Sequence, residues 1–228
     1  MPGRAALLAA VLVLVAACSS PGRPSGPAAA PATAPPATTG ARAGTEPTTR
    51  PAEVRYVFPV AGCRVSYGHV HHDYPATDVF AARGCAFVAP VDGRVDEVSR
   101  VDRWDPGADR ASQRGGLSVS LVGVDGVRYY GSHLMSIAPG VAPGLAVRAG
   151  RVLGRVGNTG NARRTASHLH FGISWPTPGG VWWVRRGVLY PWPYLDAWRR
   201  GRDRSPAAAV RAARARAGAT VPPCDAAC

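Results

Sequence analysis

Leu117-Ser118-Val119-Ser120-Leu121 alternates apolar and polar residues without a break. Successive side chains of a strand point to opposite faces, so this run reads as a strand with one face in a core. Outward from it the same signal recurs. The turn pair Asp125-Gly126 precedes Val127, and short apolar runs lie at 54–60, 86–91, 94–101 and 152–156. Glycine and proline punctuate these runs at Pro90, Gly93, Gly115, Gly126, Pro139, Gly150, Gly157 and Gly160. Such spacing predicts a mostly β domain, a sandwich or barrel of short strands. Helical spacing is nearly absent; residues 193–200 are expected to form a short closing helix. Two long connections, 102–115 and 176–187 with its Trp182-Trp183 pair, are natural walls for a cleft on such a scaffold.

Both ends differ from this centre. Arg4 is followed by thirteen apolar residues, 5–17, and then Cys18. The run is too short to span a bilayer and ends in small residues, as an export signal does. Leu14-Val15-Ala16-Ala17-Cys18 resembles a bacterial lipoprotein processing site, which implies cleavage before Cys18, lipidation of that cysteine, and a protein held at the outer face of the cytoplasmic membrane in the cell envelope. Residues 19–52 are nearly all Pro, Ala, Thr, Gly and Ser and cannot build a core, so they read as a disordered spacer. The expected organisation is therefore a signal segment at 1–18, a linker at 19–52, a β domain at 53–200 and a basic tail at 201–228.

The chain of 228 residues has a formal net charge of +13, and all its basic residues are arginine. The absence of lysine excludes Schiff-base chemistry, lipoyl or biotinyl attachment and a P-loop lysine. Much of the excess charge lies near the C-terminus, where an alanine- and arginine-rich stretch has helical character. In an exported protein this favours anionic lipid or wall polymer over nucleic acid, and no nucleic-acid partner is expected. Cys63, Cys85, Cys224 and Cys228 can pair in an oxidising compartment in three ways; Cys63 with Cys85 and Cys224 with Cys228 is the expected connectivity.

Five of the six histidines fall in three short clusters. Ser167-His168-Leu169-His170-Phe171-Gly172 carries an H-x-H pattern that puts both imidazoles on one strand face and Leu169 and Phe171 on the other. His71-His72-Asp73-Tyr74-Pro75-Ala76-Thr77-Asp78 couples histidine to aspartate, the nitrogen and oxygen donors of a hydrolytic zinc site. Tyr129-Tyr130-Gly131-Ser132-His133-Leu134 ends a strand in one more histidine. Ser132 and Ser167 adjoin histidines, but neighbours on a strand point apart, so neither is read as a nucleophile.

These clusters, in this order, resemble the lysostaphin-type, LytM-like zinc endopeptidases that cut peptidoglycan peptides. The likeness runs from about Phe58 to Leu195 and includes Phe87-Val88-Ala89-Pro90-Val91-Asp92-Gly93-Arg94-Val95 and the glycine-punctuated stretch 147–160. It implies a small antiparallel β-sandwich or barrel-like fold with a groove, and one zinc ion held by His72, Asp78 and His170, with His133 and His168 as catalytic groups beside the metal-activated water. The substrate it implies is a stem or cross-bridge peptide of peptidoglycan, acted on by a monomer. One feature departs from the pattern: three residues usually separate the first histidine from the aspartate, and here that place holds Tyr74. Residues 74–76 are therefore read as a bulge in the loop, with His71 as the alternate ligand. If neither histidine reaches the metal, the resemblance implies a non-catalytic module that binds the wall or activates another hydrolase. Tyr67 and Tyr74 are candidate donors to the oxyanion, and Arg163 and Arg164 either contact substrate carboxylates or form a solvated turn.

Overall fold

The computed structural model describes residues 53–218 together with 220, 221, 223 and 224. The proposed signal segment, Cys18, the linker and Cys228 lie outside these residues. Among the described residues, no helix is long and apolar enough to cross a membrane.

Among the described residues, ten strands form one sheet in which every pairing is antiparallel. In chain order they are β1 (Val60–Ala61), β2 (Val65–Ser66), β3 (Thr77–Ala81), β4 (Ala86–Val88), β5 (Gly93–Ser99), β6 (Leu117–Gly123), β7 (Arg128–Ile137), β8 (Ala146–Val147), β9 (Val152–Val156) and β10 (His168–Ser174). Three helices follow: α1 (Trp182–Arg186), α2 (Trp192–Arg199) and α3 (Ala207–Ala217). This is the mostly β, barrel-like architecture expected from the alternation.

The longest strand, β7, organises the sheet. Its first half pairs with β6 on one side and β10 on the other, and its second half pairs with β9, which leads through β4 to β1. The register against β6 slips between Val119, opposite Gly131, and Leu117, opposite Leu134, so an extra residue is accommodated around Ser132 and His133. A bulge of this kind bends the strand and re-aims the side chains that it carries.

One face of the strands builds the core. Phe87, Leu121, Tyr129, Leu134, Leu153, Leu169, Phe171 and Ile173 are fully buried, and each contributes about 1.5–3 kcal/mol relative to exposure. Helix α2 closes this core with Leu195 and Trp198; the Trp198 indole lies parallel to the Tyr56 ring at 5.3 Å. Packing continues past residue 201, the expected start of the tail. Asp203 accepts a hydrogen bond from the Tyr56 backbone N–H at 2.6 Å, the Tyr56 hydroxyl lies 2.9 Å from Ser205 Oγ, and Val210 of α3 is buried in the core. The disulfide Cys63–Cys85 ties the β1–β2 turn to the start of β4.

Candidate metal centre and cleft

Pairing of β3 with β10 sets Asp78 directly opposite His170, and pairing of β10 with β7 sets His170 opposite Ser132. Side chains directly opposite on antiparallel strands lie about 5 Å apart at Cβ and share a face. Asp78 Oδ1 accordingly lies 2.9 Å from His170 Nδ1. His168, two residues earlier on β10, shares that face and brings Nε2 to 3.9 Å from the same carboxylate oxygen. On the opposite face Val79 and Leu169 enter the core.

The loop between β2 and β3 delivers the third donor. His71 is buried and its Nε2 lies 3.8 Å from Asp78 Oδ1. One donor atom from each of His71, Asp78 and His170 lies within 4.8 Å of the others. His72 does not join them: its side chain is 72% exposed and its Nε2 reaches Asp73 at 3.3 Å instead. The structure thus brings the alternate, His71, and not the expected His72, beside Asp78 and His170. The reason lies in the loop, where His71 Nδ1–H donates to the Tyr74 carbonyl at 2.9 Å and so turns inward.

His133 occupies the β7 bulge with φ 61°, in the left-handed region that non-glycine residues rarely adopt. Strain of this kind persists where surrounding contacts enforce it. Here the His133 N–H donates to the Gly115 carbonyl at 2.9 Å, and its Nδ1 lies 2.8 Å from the Thr159 carbonyl oxygen. The loops that supply these carbonyls press together at Gly160, whose φ is +67° and where a Cβ would overlap the Arg114 carbonyl. The imidazole of His133 meets that of His168 edge-on at 4.9 Å.

A carbonyl oxygen can only accept, so the contacts of His71, His133 and His168 to the carbonyls of Tyr74, Thr159 and Ala166 place a proton on each Nδ1. Each neutral ring then presents the Nε2 lone pair. Burial, reinforced by His170, holds the His71 imidazole down at about 4, and burial with His170 and His168 holds His133 down at about 3. Burial works upward on Asp78, but the His170 hydrogen bond and the neighbouring imidazoles outweigh it and keep this carboxyl below the usual range. The donor set of two imidazoles and a carboxylate suits a divalent metal such as zinc.

These groups line a cleft of about 200 Å³, together with Tyr74, Arg114, Tyr130, Ser132, Asn161 and Arg186. Ser132 corrects the strand argument: because of the bulge, both it and its neighbour His133 face the cleft. Its hydroxyl is buried without a hydrogen-bond partner. No residue pattern announces the bulge, so sequence reasoning missed Ser132. Arg186 arrives from α1, which sits on β10 where Gly172 has no side chain; a Cβ there would overlap the Arg186 carbonyl. Its guanidinium lies 4.8 Å from the Tyr74 ring centre and 4.3 Å from that of Trp182. Of the two tyrosines considered as oxyanion donors, Tyr74 is in the cleft, whereas the Tyr67 hydroxyl is engaged with Asp196 at 2.7 Å. Arg163 pairs with Asp102 at 2.9 Å and covers Trp104, so it braces a wall of the cleft. His69 stacks on Trp192 at 4.1 Å and takes no part in the site.

Residues 72–179 match the model of peptidase family M23. These residues form an M23 peptidase domain. The L-Ala–D-Glu endopeptidase of Bacillus subtilis (strain 168) is 28% identical over 132 residues, 56% of this chain and 36% of that protein. The chain thus spans little more than a third of the length of this relative. A candidate glycyl-glycine endopeptidase, lytM, from Ruminococcus gnavus ATCC 29149 shares the fold at TM-score 0.50 and 21% identity, over 65% of this chain and 62% of that one. The catalytic domain of lysostaphin from Staphylococcus simulans aligns at TM-score 0.45 and 25% identity, over 58% of this chain and 92% of that one. The M23 match begins at His72, one residue past the histidine that joins Asp78 and His170.

Proposed function

We propose that the domain is a zinc-dependent endopeptidase that hydrolyses peptide bonds in peptidoglycan, at the outer face of the cell membrane. The observation that carries this reading is the convergence of His71, Asp78 and His170 in a cleft that also holds His133 and His168. The M23 match supports peptide hydrolysis, and the B. subtilis relative is named for cutting a peptide bond between L-Ala and D-Glu.

His71, Asp78 and His170 would hold the ion. When bound, zinc supplies a Lewis acid that lets water act as a nucleophile near neutral pH. The remaining chemistry falls to the chain. Substrate lies along the cleft with its scissile carbonyl beside the donor triad. His133 and His168 present Nε2 to that point; one accepts the proton of the attacking water and returns it to the leaving amine, and the other stabilises the oxyanion as a hydrogen-bond donor once protonated. The carbonyl acceptors of Thr159 and Ala166 keep both rings oriented through this exchange.

The test is mass spectrometry of muropeptides after digestion of purified peptidoglycan with the metal-loaded protein. New amine termini are expected, together with their loss in His168→Ala at unchanged zinc content. Zinc binding without any new termini would instead favour a wall-binding or hydrolase-activating module.

A further inference from the structure

Tyr74 stands where the zinc endopeptidases that this chain resembles carry a metal-ligating histidine, and the structure shows it attached to both histidines of the donor triad. Its carbonyl oxygen accepts from His71 Nδ1 at 2.9 Å, and its hydroxyl lies 3.2 Å from His170 Nε2. Its ring centre is 4.8 Å from that of His71 and 5.6 Å from that of His170, while the Arg186 guanidinium covers it.

The carbonyl contact fixes a proton position on its histidine, whereas the hydroxyl contact allows either position on the other. A neutral imidazole has one lone pair, so a ring can ligate through one nitrogen only when the proton sits on the other. His71 is held with its proton on Nδ1, which leaves Nε2 facing Asp78 at 3.8 Å. His170 is turned the other way round: Nδ1 faces Asp78 at 2.9 Å and Nε2 faces Tyr74. For His170 to ligate beside Asp78, its proton must move to Nε2, and the Tyr74 oxygen is placed to accept it. Without metal, the proton sits on Nδ1 toward the carboxylate and the tyrosine O–H donates to Nε2. A hydroxyl donates and accepts, so it serves both states; a carboxylate serves one and a phenyl ring neither.

We propose that Tyr74 is the positioning residue of the metal centre, its carbonyl fixing the proton of His71 on Nδ1 and its hydroxyl accepting the Nε2 proton that His170 carries when it ligates through Nδ1. This rests on the zinc reading above. It also accounts for the long histidine-to-aspartate spacing: the residue at the usual ligand position orients a ligand supplied from three residues upstream. Partners that fix ligand histidines typically change metal affinity 10–100-fold.

The experiment measures zinc affinity of the full chain and of Tyr74→Phe by competition with a chromophoric chelator, with thermal melting of both metal-free proteins as the control for folding. A loss of about 10–100-fold in affinity at an unchanged melting temperature is expected. In parallel, long-range proton–nitrogen spectra of the zinc-loaded wild type are expected to show His170 protonated on Nε2 and His71 on Nδ1. An affinity within threefold of wild type overturns the proposal, and so does a proton found on Nδ1 of His170. If Tyr74→Phe fails to fold, the wild-type spectrum alone decides. A wild type that takes up no zinc would refute the metal reading itself, whereas zinc uptake with unaltered affinity in Tyr74→Phe would remove only the role of Tyr74.

Discussion

His71 and His72 are chemically identical neighbours, and a single hydrogen bond separates their fates. The Tyr74 carbonyl captures one imidazole and the other is left toward solvent beside Asp73. His71→Ala should therefore remove stoichiometric zinc, while His72→Ala should retain it within twofold; metal analysis after dialysis checks both. Zinc retained in His71→Ala would return the choice to His72. The same buried imidazoles make the metal-free protein acid-sensitive. His71 and His133 are held at about 4 and 3, below the 6.5 of a free histidine, so below pH 6.5 the unfolded chain binds more protons than the folded one. Their stabilising contribution is whole above 6.5 and falls by on the order of 1 kcal/mol per pH unit for each histidine as the pH drops toward 4. Urea midpoints in the presence of a chelator should fall between pH 7 and 4.5; a constant midpoint would contradict the shifts. Asp78 and the H-x-H pair were legible from sequence because strand alternation decides which way they face. The choice at 71/72 was not, because it depends on one loop carbonyl.

Among the elements, α1 and the bulge in β7 show what alternation leaves out. Helix α1 is held by Arg128, which is only 1% exposed, and by Arg185. Arg128 bonds Asp96 at 2.6 Å and the Arg185 carbonyl at 2.5 Å, while Arg185 bonds Asp96 and Glu97 at 2.7 Å each. Nothing local in the sequence joins these residues, and neither Arg186 nor Ser132 was read as part of the cleft. The 63–85 disulfide was legible, since the two cysteines bracket the loop that carries His71. With its ends 22 positions apart in sequence, its loss in a Cys63→Ser, Cys85→Ser variant should lower stability by about 3 kcal/mol, as the entropy of closing such a loop suggests. Equilibrium unfolding of wild type and double variant measures this. A change below about 1 kcal/mol would mean that the loop is fixed by other contacts.

Across the molecule, the fold followed from short alternating runs and their glycine punctuation, but the basic end did not read as part of it. Composition marks residues 201–217 as a charged appendage, yet Asp203, Ser205 and Val210 make contacts that a composition count cannot weigh. Val210→Asp would place an unpaired charge in the core, and it should cost several kcal/mol. Chemical denaturation of the full chain tests this, and an unchanged midpoint would restore the appendage reading.

For anyone preparing this domain for crystals or assays, the seam matters. Trimming at residue 200 would strip the lid from Tyr56 and Trp198 and bare a greasy aromatic pair, and trimming at residue 179, where the family match stops, would remove Trp198 as well. An insoluble or idle product from such a clone would report on the cut, and would say nothing about the intact chain.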